Sequence, residues 1–368
     1  MAVDPHYPVK IATTIWCVLF CLSLKSQVPE KKMKNGTWIA LPTFNYSPEN
    51  GFGFGAATLR VFKFNRNDTI SRSSQIGGLA LYTTENQAIF STRYQFFTYA
   101  ERYSFSGQIR YVDFPELYYG IGEDTPDTNE EDISYRFFRF AQRVTKQLTP
   151  GFFAGLEVRY FNRFNLELVP GGILETSRAP GYNGSRVFGG GPVFVLDKRD
   201  NINNPFNGYY LLFSAFFHGK VLGGEFQYTN YRLDFRDYFK PFKNLDHILA
   251  IQFVGNFIEG TAPFRQLSLL GGSSIMRGYY LGRFRDQHLV AAQTEYRFPL
   301  FWRIGGAAFL GFGNVMNRVS DFRWRDLKHS VGAGLRLGVD PKERLNLRVD
   351  VGFGENTSGF YLSVSEAF

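Results

Sequence analysis

The sequence predicts an all-β fold, a sixteen-stranded antiparallel transmembrane β-barrel. Aromatic residues make up 18% of the 368-residue chain and glycines number 38, a composition that favours strands joined by tight turns. Strand-like alternation of apolar and polar residues recurs about sixteen times, and single-chain bacterial barrels have an even number of strands. Short turns alternate with longer polar loops, as they do in outer-membrane barrels.

The hydropathy of the chain is compatible with this class. No stretch approaches the roughly 18 unbroken apolar residues of a spanning helix. The mean hydropathy of -0.20 suits a barrel, because every second residue of a strand faces the lumen. A soluble β-sandwich or propeller is the competing interpretation, and it needs neither an export signal nor an aromatic residue at the end of the last strand.

The first 26 residues have the pattern of a signal peptide. Lys10 precedes the apolar run from Ile11 to Leu24, and the small residue Ser26 follows it. Lipidation at Cys21 is an alternative, although the bulky Phe20 before it departs from the usual lipidation motif.

Residues 27–37 are predicted to form a short periplasmic linker, and residues 38–368 the barrel. Both cysteines, Cys17 and Cys21, lie inside the predicted signal, so the mature chain would have no thiol chemistry. The formal net charge of +8 suits anionic outer-membrane lipid or a positively charged lumen. The basic residues are not clustered as nucleic-acid binding requires, so no nucleic-acid partner is expected.

The predicted strands follow one another with a turn or loop between each pair. In order they are Trp38–Ser47, Phe52–Phe64, Ser74–Thr83, Gln87–Thr98, a fifth through Tyr103 and Tyr111, Ile133–Leu148, Gly151–Leu168, an eighth that ends at Asp197, Tyr209–His218, Glu225–Pro241, His247–Glu259, Gln287–Leu300, Ile304–Asn314, His329–Asp340, Leu345–Gly354 and Gly359–Phe368.

One long segment, Gly260–Asp286, has no strand alternation but contains paired glycines and four arginines. A loop of this length without secondary structure is more often functional than idle. The strand after it places Glu295 on its polar, inward face, which makes this residue the nearest inward acid to Arg277. The sequence therefore predicts an ion pair between Arg277 and Glu295.

The first and last strands hold a second feature. Pro42 lies in the middle of the first strand, and proline cannot donate to a β-ladder, so it belongs at a sheet edge or a bulge. The last strand places Phe360, Leu362, Val364 and Phe368 on one apolar face. Because the first strand of a closed barrel pairs with the last, Pro42 predicts either a weak seam or a simple bulge.

Signatures of catalysis are not found. There is no G-x-S-x-G motif, and the five histidines do not have metal-ligand spacing. The acids Glu130, Glu131 and Asp132 permit a calcium site, but a solvated outer loop is the favoured interpretation. We expect no enzymatic activity, no cofactor and no metal.

Four stretches carry a resemblance to a known family. They are the loop GGSSIMRGYY with Arg277, Gly278 and Tyr279, the strand TEYRFPL with Glu295, the turn DKRDNINNPFNGYY, and the closing strands RVDVGFG and GFYLSVSEAF. The segment YYGIG at Tyr118–Gly122 is a weaker match. Together these stretches resemble the BamA/TamA superfamily of outer-membrane barrels, also called the bacterial surface antigen family.

The resemblance implies a sixteen-stranded barrel whose sixth outer loop folds into the lumen, where Arg277 pairs with acids on the wall. Glu295 is the first partner expected and Asp350 the second. The sequence departs from the family twice. The family's F-x-D-x-G strand has Gly311 here in place of the aspartate, and the short linker cannot hold a periplasmic POTRA domain.

The family also implies a role. We expect a bacterial outer-membrane protein with both termini periplasmic that assists insertion or assembly of outer-membrane protein or lipid. Its weak seam would join Trp38–Ser47 to Gly359–Phe368, with Pro42 and Phe368 at the seam. A passive or gated pore and a structural surface protein are the alternatives. The expected partners are outer-membrane lipid and other outer-membrane proteins, and an exposed seam would also permit a homodimer.

Overall fold

The computed structural model describes residues 36–47, 51–65, 67–84, 86–220 and 223–368, without the side chains of residues 44–47, 51 and 114. The predicted signal peptide and most of the predicted linker lie outside the described residues. Within those ranges, none of the helices has the length and apolar character to cross a membrane.

The structure is almost entirely β-sheet. Its strands are β1 (Thr37–Ser47), β2 (Gly51–Phe62), β3 (Ser74–Thr83), β4 (Ala88–Phe97), β5 (Tyr103–Tyr118), β6 (Glu131–Thr149), β7 (Phe152–Glu167), β8 (Ser185–Asp197), β9 (Gly208–His218), β10 (Tyr228–Phe239), β11 (Ile248–Gly260), β12 (Ser268–Leu270), β13 (Phe284–Asp286), β14 (His288–Phe301), β15 (Ile304–Met316), β16 (Lys328–Asp340), β17 (Leu345–Gly354) and β18 (Thr357–Val364). A short helix, α1, spans Ile173–Ser177, and 3-10 turns span Tyr99–Glu101, Asp127–Asn129, Val319–Asp321 and Trp324–Asp326.

Sixteen of these strands form one antiparallel sheet in chain order, from β1 through β11 and then from β14 through β18. The remaining two, β12 and β13, form a small hairpin within the segment between β11 and β14. The long segment that the sequence marks as structureless therefore contains a short hairpin. The all-β barrel prediction is confirmed.

Each strand has one apolar face that points outward and one face that points into the barrel, because successive side chains of a strand alternate in direction. Exposed residues of the outward face are Phe90, Leu156, Phe213, Phe253, Leu335 and Leu362. Buried inward residues are Glu157, Asp234, Gln252, Glu295, Arg336 and Asp350. This pattern is the one expected of strands with lipid on one side and a polar lumen on the other.

The first and last strands approach each other at the end of the barrel that carries the chain termini, called here the termini end. Thr37 Oγ1 donates a hydrogen bond of 2.6 Å to Oδ2 of Asp340, the last residue of β16. The buried side chains of Ile39 and Leu345 form an apolar cluster against which Val364 packs. The barrel closes through these side-chain contacts, and β1 and β18 are the two ends of the ladder order.

Pro42 lies on β1, at one end of the sheet order, where proline is tolerated. It is paired with Ala56 in an unbroken register between β1 and β2, so the bulge interpretation is wrong for this ladder.

The expectation that the last strand runs to Phe368, with this residue on its lipid face, is also wrong. The strand ends at Val364, and Ser365 has a φ of 70°, which turns the chain away from the strand direction. Phe368 is buried against Tyr238 and Ala250 on the inner wall. Its carbonyl oxygen accepts a hydrogen bond of 3.1 Å from Arg297. Residues 365–368 therefore form a tail inside the barrel and do not line the seam.

The turn at residues 198–207 holds this tail in place. Glu366 N donates to Asn203 O at 3.3 Å, and Asn203 Nδ2 donates to the carbonyl of Glu343 at 3.1 Å. Arg344 pairs with Asp200 at 2.7 Å. The turn that resembles the family's D-x-R-D motif thus reaches the β16–β17 turn and the tail at the termini end.

The inward position of the tail predicts a fluorescence result. With the native tryptophans replaced by phenylalanine, a Phe368→Trp variant in vesicles of brominated lipid should keep its emission, because its ring lies in the barrel. A Phe360→Trp variant, on the outward face of β18, should be quenched in the same vesicles. Equal quenching of the two variants would place the tail on the lipid side and contradict the structure.

Candidate functional site

The candidate site is built around the segment between β11 and β14, residues 261–287, which we call loop six. Its apolar residues Leu270, Met276, Tyr279 and Phe284 are buried together with residues of the inner wall. Those wall residues are Val254, Leu289, Ala291 and Val315, from β11, β14 and β15. Loop six is therefore folded into the barrel and packed against its wall, rather than extended into solvent.

The tip of loop six lies directly on β17. Gly278 has a φ of 121°, a conformation that favours glycine. A side chain on Gly352 would place its Cβ 2.6 Å from the backbone carbonyl carbon of Arg277, which no real contact allows. The absence of side chains on this wall is what lets the Arg-Gly tip approach the strand backbone.

Arg277 is fully buried between two carboxylates. Its Nη1 donates to Asp350 Oδ2 at 2.5 Å, and its Nη2 lies 2.6 Å from Glu295 Oε2 as an ion-pair contact without hydrogen-bond alignment. All three side chains are 0% exposed. Both acids that the sequence offers as partners therefore contact Arg277, and Asp350 is the one that is hydrogen-bonded to it.

The wall under the tip accounts for the departure from the family's F-x-D-x-G pattern. The guanidinium carbon of Arg277 lies 3.5 Å from the ring centroid of Phe309, which places the cation over an aromatic face. A Cβ on Gly311 would lie 3.0 Å from Met276 Sδ. Met276 therefore packs closely over the position where the family has an aspartate, and Asp350 on β17 supplies a carboxylate to Arg277.

The ion pairs continue beyond Arg277 into a network. Arg297 pairs with Glu295 at 2.7 Å, and Arg336 pairs with Asp350 at 2.5 Å and with Glu366 at 2.6 Å. Arg348 lies 3.2 Å from Asp350. The network, which we call the Arg277 network, consists of Arg277, Arg297, Arg336, Arg348, Glu295, Asp350 and Glu366.

The charges of this network lie away from solvent, so each of them needs a partner of opposite charge. Its four arginines and three carboxylates are at most 5% exposed at the side chain. Buried charges are tolerated only when they are paired, and removing one partner of such a pair typically costs about 3–5 kcal/mol. The position of loop six is therefore tied to the neutralisation of the wall charges.

Loop six also contacts the last strand. Gly278 N donates to Tyr361 Oη at 2.9 Å, and Thr357 Oγ1 donates to the carbonyl of Gly278 at 3.2 Å. Both Thr357 and Tyr361 belong to β18. The Arg-Gly tip is thus hydrogen-bonded to one of the two strands that end the sheet.

A second anchor, which the sequence did not identify, holds loop six near its outer end. Glu116 lies 2.6 Å from Arg265 and 3.2 Å from Arg285, both of loop six. Arg283 donates to Thr125 Oγ1 at 2.8 Å and lies 2.6 Å from Asp127. The arginines of the loop were the available signal, but the partners of Arg265, Arg283 and Arg285 lie more than 130 positions earlier in the chain, where spacing indicates nothing.

The phenol of Tyr280 belongs to this second anchor. Burial, together with the nearby negative charge of Glu116, raises the pKa of Tyr280 to about 12. The phenol is therefore neutral at physiological pH, and its oxygen accepts a hydrogen bond of 3.4 Å from Leu117 N. The weaker sequence match, Tyr118–Gly122, joins the same region, since Gly122 N donates to Arg285 O at 2.8 Å.

The remaining expected site residues are not brought together. Pro42 lies on β1, whereas Phe368 is buried against Tyr238 and Ala250 of β10 and β11. In the part of the chain that the structure describes, no group of three or more His, Cys, Asp or Glu side chains is arranged to hold a metal ion.

Comparison with known proteins identifies the family. The model of the Omp85 superfamily domain matches residues 66–368, so the chain belongs to the Omp85 superfamily and to its outer-membrane β-barrels. No curated protein sequence matches the chain.

Several solved structures are similar to it. BamA from Haemophilus ducreyi lacking POTRA domains 1-3 has a TM-score of 0.56 and 13% identity, over 89% of this chain and 70% of that one. CdiB from Acinetobacter baumannii has a TM-score of 0.56 and 11% identity, over 90% of this chain and 59% of that one. CdiB from Escherichia coli has a TM-score of 0.56 and 10% identity, over 90% of this chain and 62% of that one. The chain thus spans less than two thirds of each CdiB, and these identities show a shared fold.

The close approach at Gly352 gives a first prediction for the site. Gly352→Ala should displace the tip of loop six and lower the unfolding free energy by about 1–3 kcal/mol, the usual cost of overpacking. Gly219→Ala is the matched control, because a Cβ there has no atom within 4 Å. Thermal unfolding of the two purified variants in detergent compares them. Equal stability of both would show that the tip does not lie on β17.

The buried ion pairs give a second prediction. Arg277→Ala leaves Glu295 and Asp350 short of one cation, so loop six should leave the lumen more often and be cut faster by protease within residues 261–287. Arg325→Ala removes an arginine whose side chain is 74% exposed on another loop, and cleavage should then be unchanged. Cleavage of Arg277→Ala at the rate of the unaltered protein would refute the role of the pair.

Proposed function

We propose that this Omp85 barrel assists the insertion or assembly of other outer-membrane components, protein or lipid, through a weak seam between β1 and β18. The observation that carries the proposal is the position of these strands at the two ends of the ladder order. Unpaired N–H and C=O groups on such edges are templates for pairing with another strand. An edge of this kind is a disadvantage for a protein that only has to be a stable wall.

The contacts at the seam support the same conclusion. At the termini end β1 is held to β16 by Thr37 with Asp340, and Ile39 of β1 packs in an apolar cluster with Leu345 of β17 and Val364 of β18. Side-chain contacts of this kind can separate without breaking a continuous backbone ladder. Pro42 on β1 adds a residue that has no N–H to offer a ladder partner.

The Arg277 network supplies a means of holding the last strand. The tip of loop six is hydrogen-bonded to Thr357, the first residue of β18, and to Tyr361 in the middle of that strand. Beyond the other end of that strand, Glu366 is paired with Arg336, which in turn shares Asp350 with Arg277. The same cation network thus ties down both ends of β18, while its edge toward β1 is left for a client.

In this mechanism the barrel does no covalent chemistry. Loop six and the tail keep the lumen side of β18 fixed, so that separation of the seam moves β1 rather than the whole wall. The exposed edges then offer backbone hydrogen bonds to an incoming strand, which a membrane interior does not supply. A short hydrophobic wall at the seam would also thin the bilayer locally and lower the barrier to insertion.

A disulfide across the seam tests the proposal. Ile39→Cys and Val364→Cys, in a background with Cys17 and Cys21 replaced by serine, place one thiol on each side of the seam. In liposomes, the reduced protein should accelerate the folding of a second barrel protein. The oxidised form should reduce that rate to the rate of empty liposomes, and dithiothreitol should restore it.

The control disulfide joins Leu41→Cys to Ala57→Cys, residues that already face each other in the β1–β2 ladder. It should leave the rate unchanged in both redox states. A locked seam that folds clients at the full rate contradicts the proposal. Large steady conductance in planar bilayers, without any acceleration of folding, would favour a pore instead.

A further inference from the structure

The inner wall formed by β4 to β7 has a charge distribution unlike that of the Arg277 network. Its inward positions carry six arginines and three acids, Glu116, Glu131 and Glu157. The arginines are Arg93 on β4, Arg110 on β5, Arg139 and Arg143 on β6, and Arg159 and Arg163 on β7.

Three of these arginines crowd one another. Arg110 and Arg139 are direct partners in the β5–β6 ladder, and Ser91 is the partner of Arg110 on β4. Arg93 lies two residues along β4 from Ser91, so it points to the same face one row away. Like charges that face each other across neighbouring strands are destabilising, because their side chains are only about 5 Å apart at Cβ.

The nearest carboxylates are already engaged. Glu157 lies 2.6 Å from both Arg143 and Arg159, and Glu116 is shared by Arg265 and Arg285. Within the described residues, Arg93, Arg110 and Arg139 have no carboxylate within 4 Å. The Nε atoms of Arg110 and Arg139 are buried and donate to no acceptor in that part of the chain. These two donors therefore have no acceptor among the described residues, and the guanidinium carbon of Arg139 lies 5.1 Å from the ring centroid of Phe161.

We propose that Arg93, Arg110 and Arg139 form a binding site in the lumen for a multivalent oxyanion of the phosphate type. A guanidinium matches the oxygen spacing of phosphate in a bidentate arrangement, and two or three of them around one group neutralise its charge. Ser91, the ladder partner of Arg110, and Gln108, the ladder partner of Arg93, add uncharged donors beside the arginines. The site lies on the wall across the barrel from the Arg277 network and uses none of its residues.

Binding of inorganic pyrophosphate to the full-length protein in detergent tests the site by calorimetry. The unaltered protein should give a saturable isotherm at constant ionic strength. Arg110→Gln combined with Arg139→Gln should weaken binding by roughly a hundredfold, about tenfold for each charged hydrogen-bonding partner that is lost. Arg186→Gln combined with Arg325→Gln is the control, since it removes the same charge from two exposed side chains and should leave binding unchanged.

A second measurement distinguishes the source of the anion. The melting temperature is recorded in phosphatidylcholine vesicles with added pyrophosphate, and in vesicles that contain phosphatidic acid without it. An increase only with pyrophosphate indicates a free anion, and an increase with phosphatidic acid that the Arg110→Gln, Arg139→Gln variant loses indicates a lipid headgroup. Absence of any isotherm and of both increases in the unaltered protein, or equal binding by the double variant, overturns the proposal.

Discussion

The buried contact of Arg277 with Glu295 and Asp350 is the interaction on which the other features of the site depend. A guanidinium that is 0% exposed has to be neutralised, and the two acids lie on β14 and β17, several strands apart. Loop six must therefore cross the lumen to satisfy them. The glycine wall at Gly352 follows from this requirement, because any side chain there would exclude the tip.

The same contact links parts of the barrel that are distant in sequence. Through Asp350 and Arg336 it reaches Glu366, beyond the end of the last strand. Through Gly278 it reaches Tyr361, within that strand. Since β18 has one ladder neighbour in the sheet order, these side-chain contacts replace part of the restraint that a second neighbour would give. A loop that folds into the lumen can in this way influence the stability of a seam in the wall.

Much of this arrangement could be predicted from the sequence, because alternation along a strand fixes which residues face inward. That rule placed Glu295 on an inward face, and the family resemblance added Asp350 as a second partner of Arg277. The tail could not be predicted, since Phe368 continues the apolar face of β18 by spacing, and only the φ of Ser365 reverses its direction. Glu116 was missed because a contact with Arg285 across 169 positions leaves no local pattern.

Amide hydrogen exchange of the Arg277→Ala variant measures the link between loop six and the seam directly. Amides of residues 268–286 should exchange faster once the loop is released, and amides of residues 357–364 in β18 should become faster with them. Amides of β3 and β4 should keep the rates of the unaltered protein, because the described residues of those strands form no hydrogen bond or ion pair with loop six. Faster exchange in loop six with unchanged exchange in β18 would show that the buried arginine holds the loop alone and does not restrain the last strand.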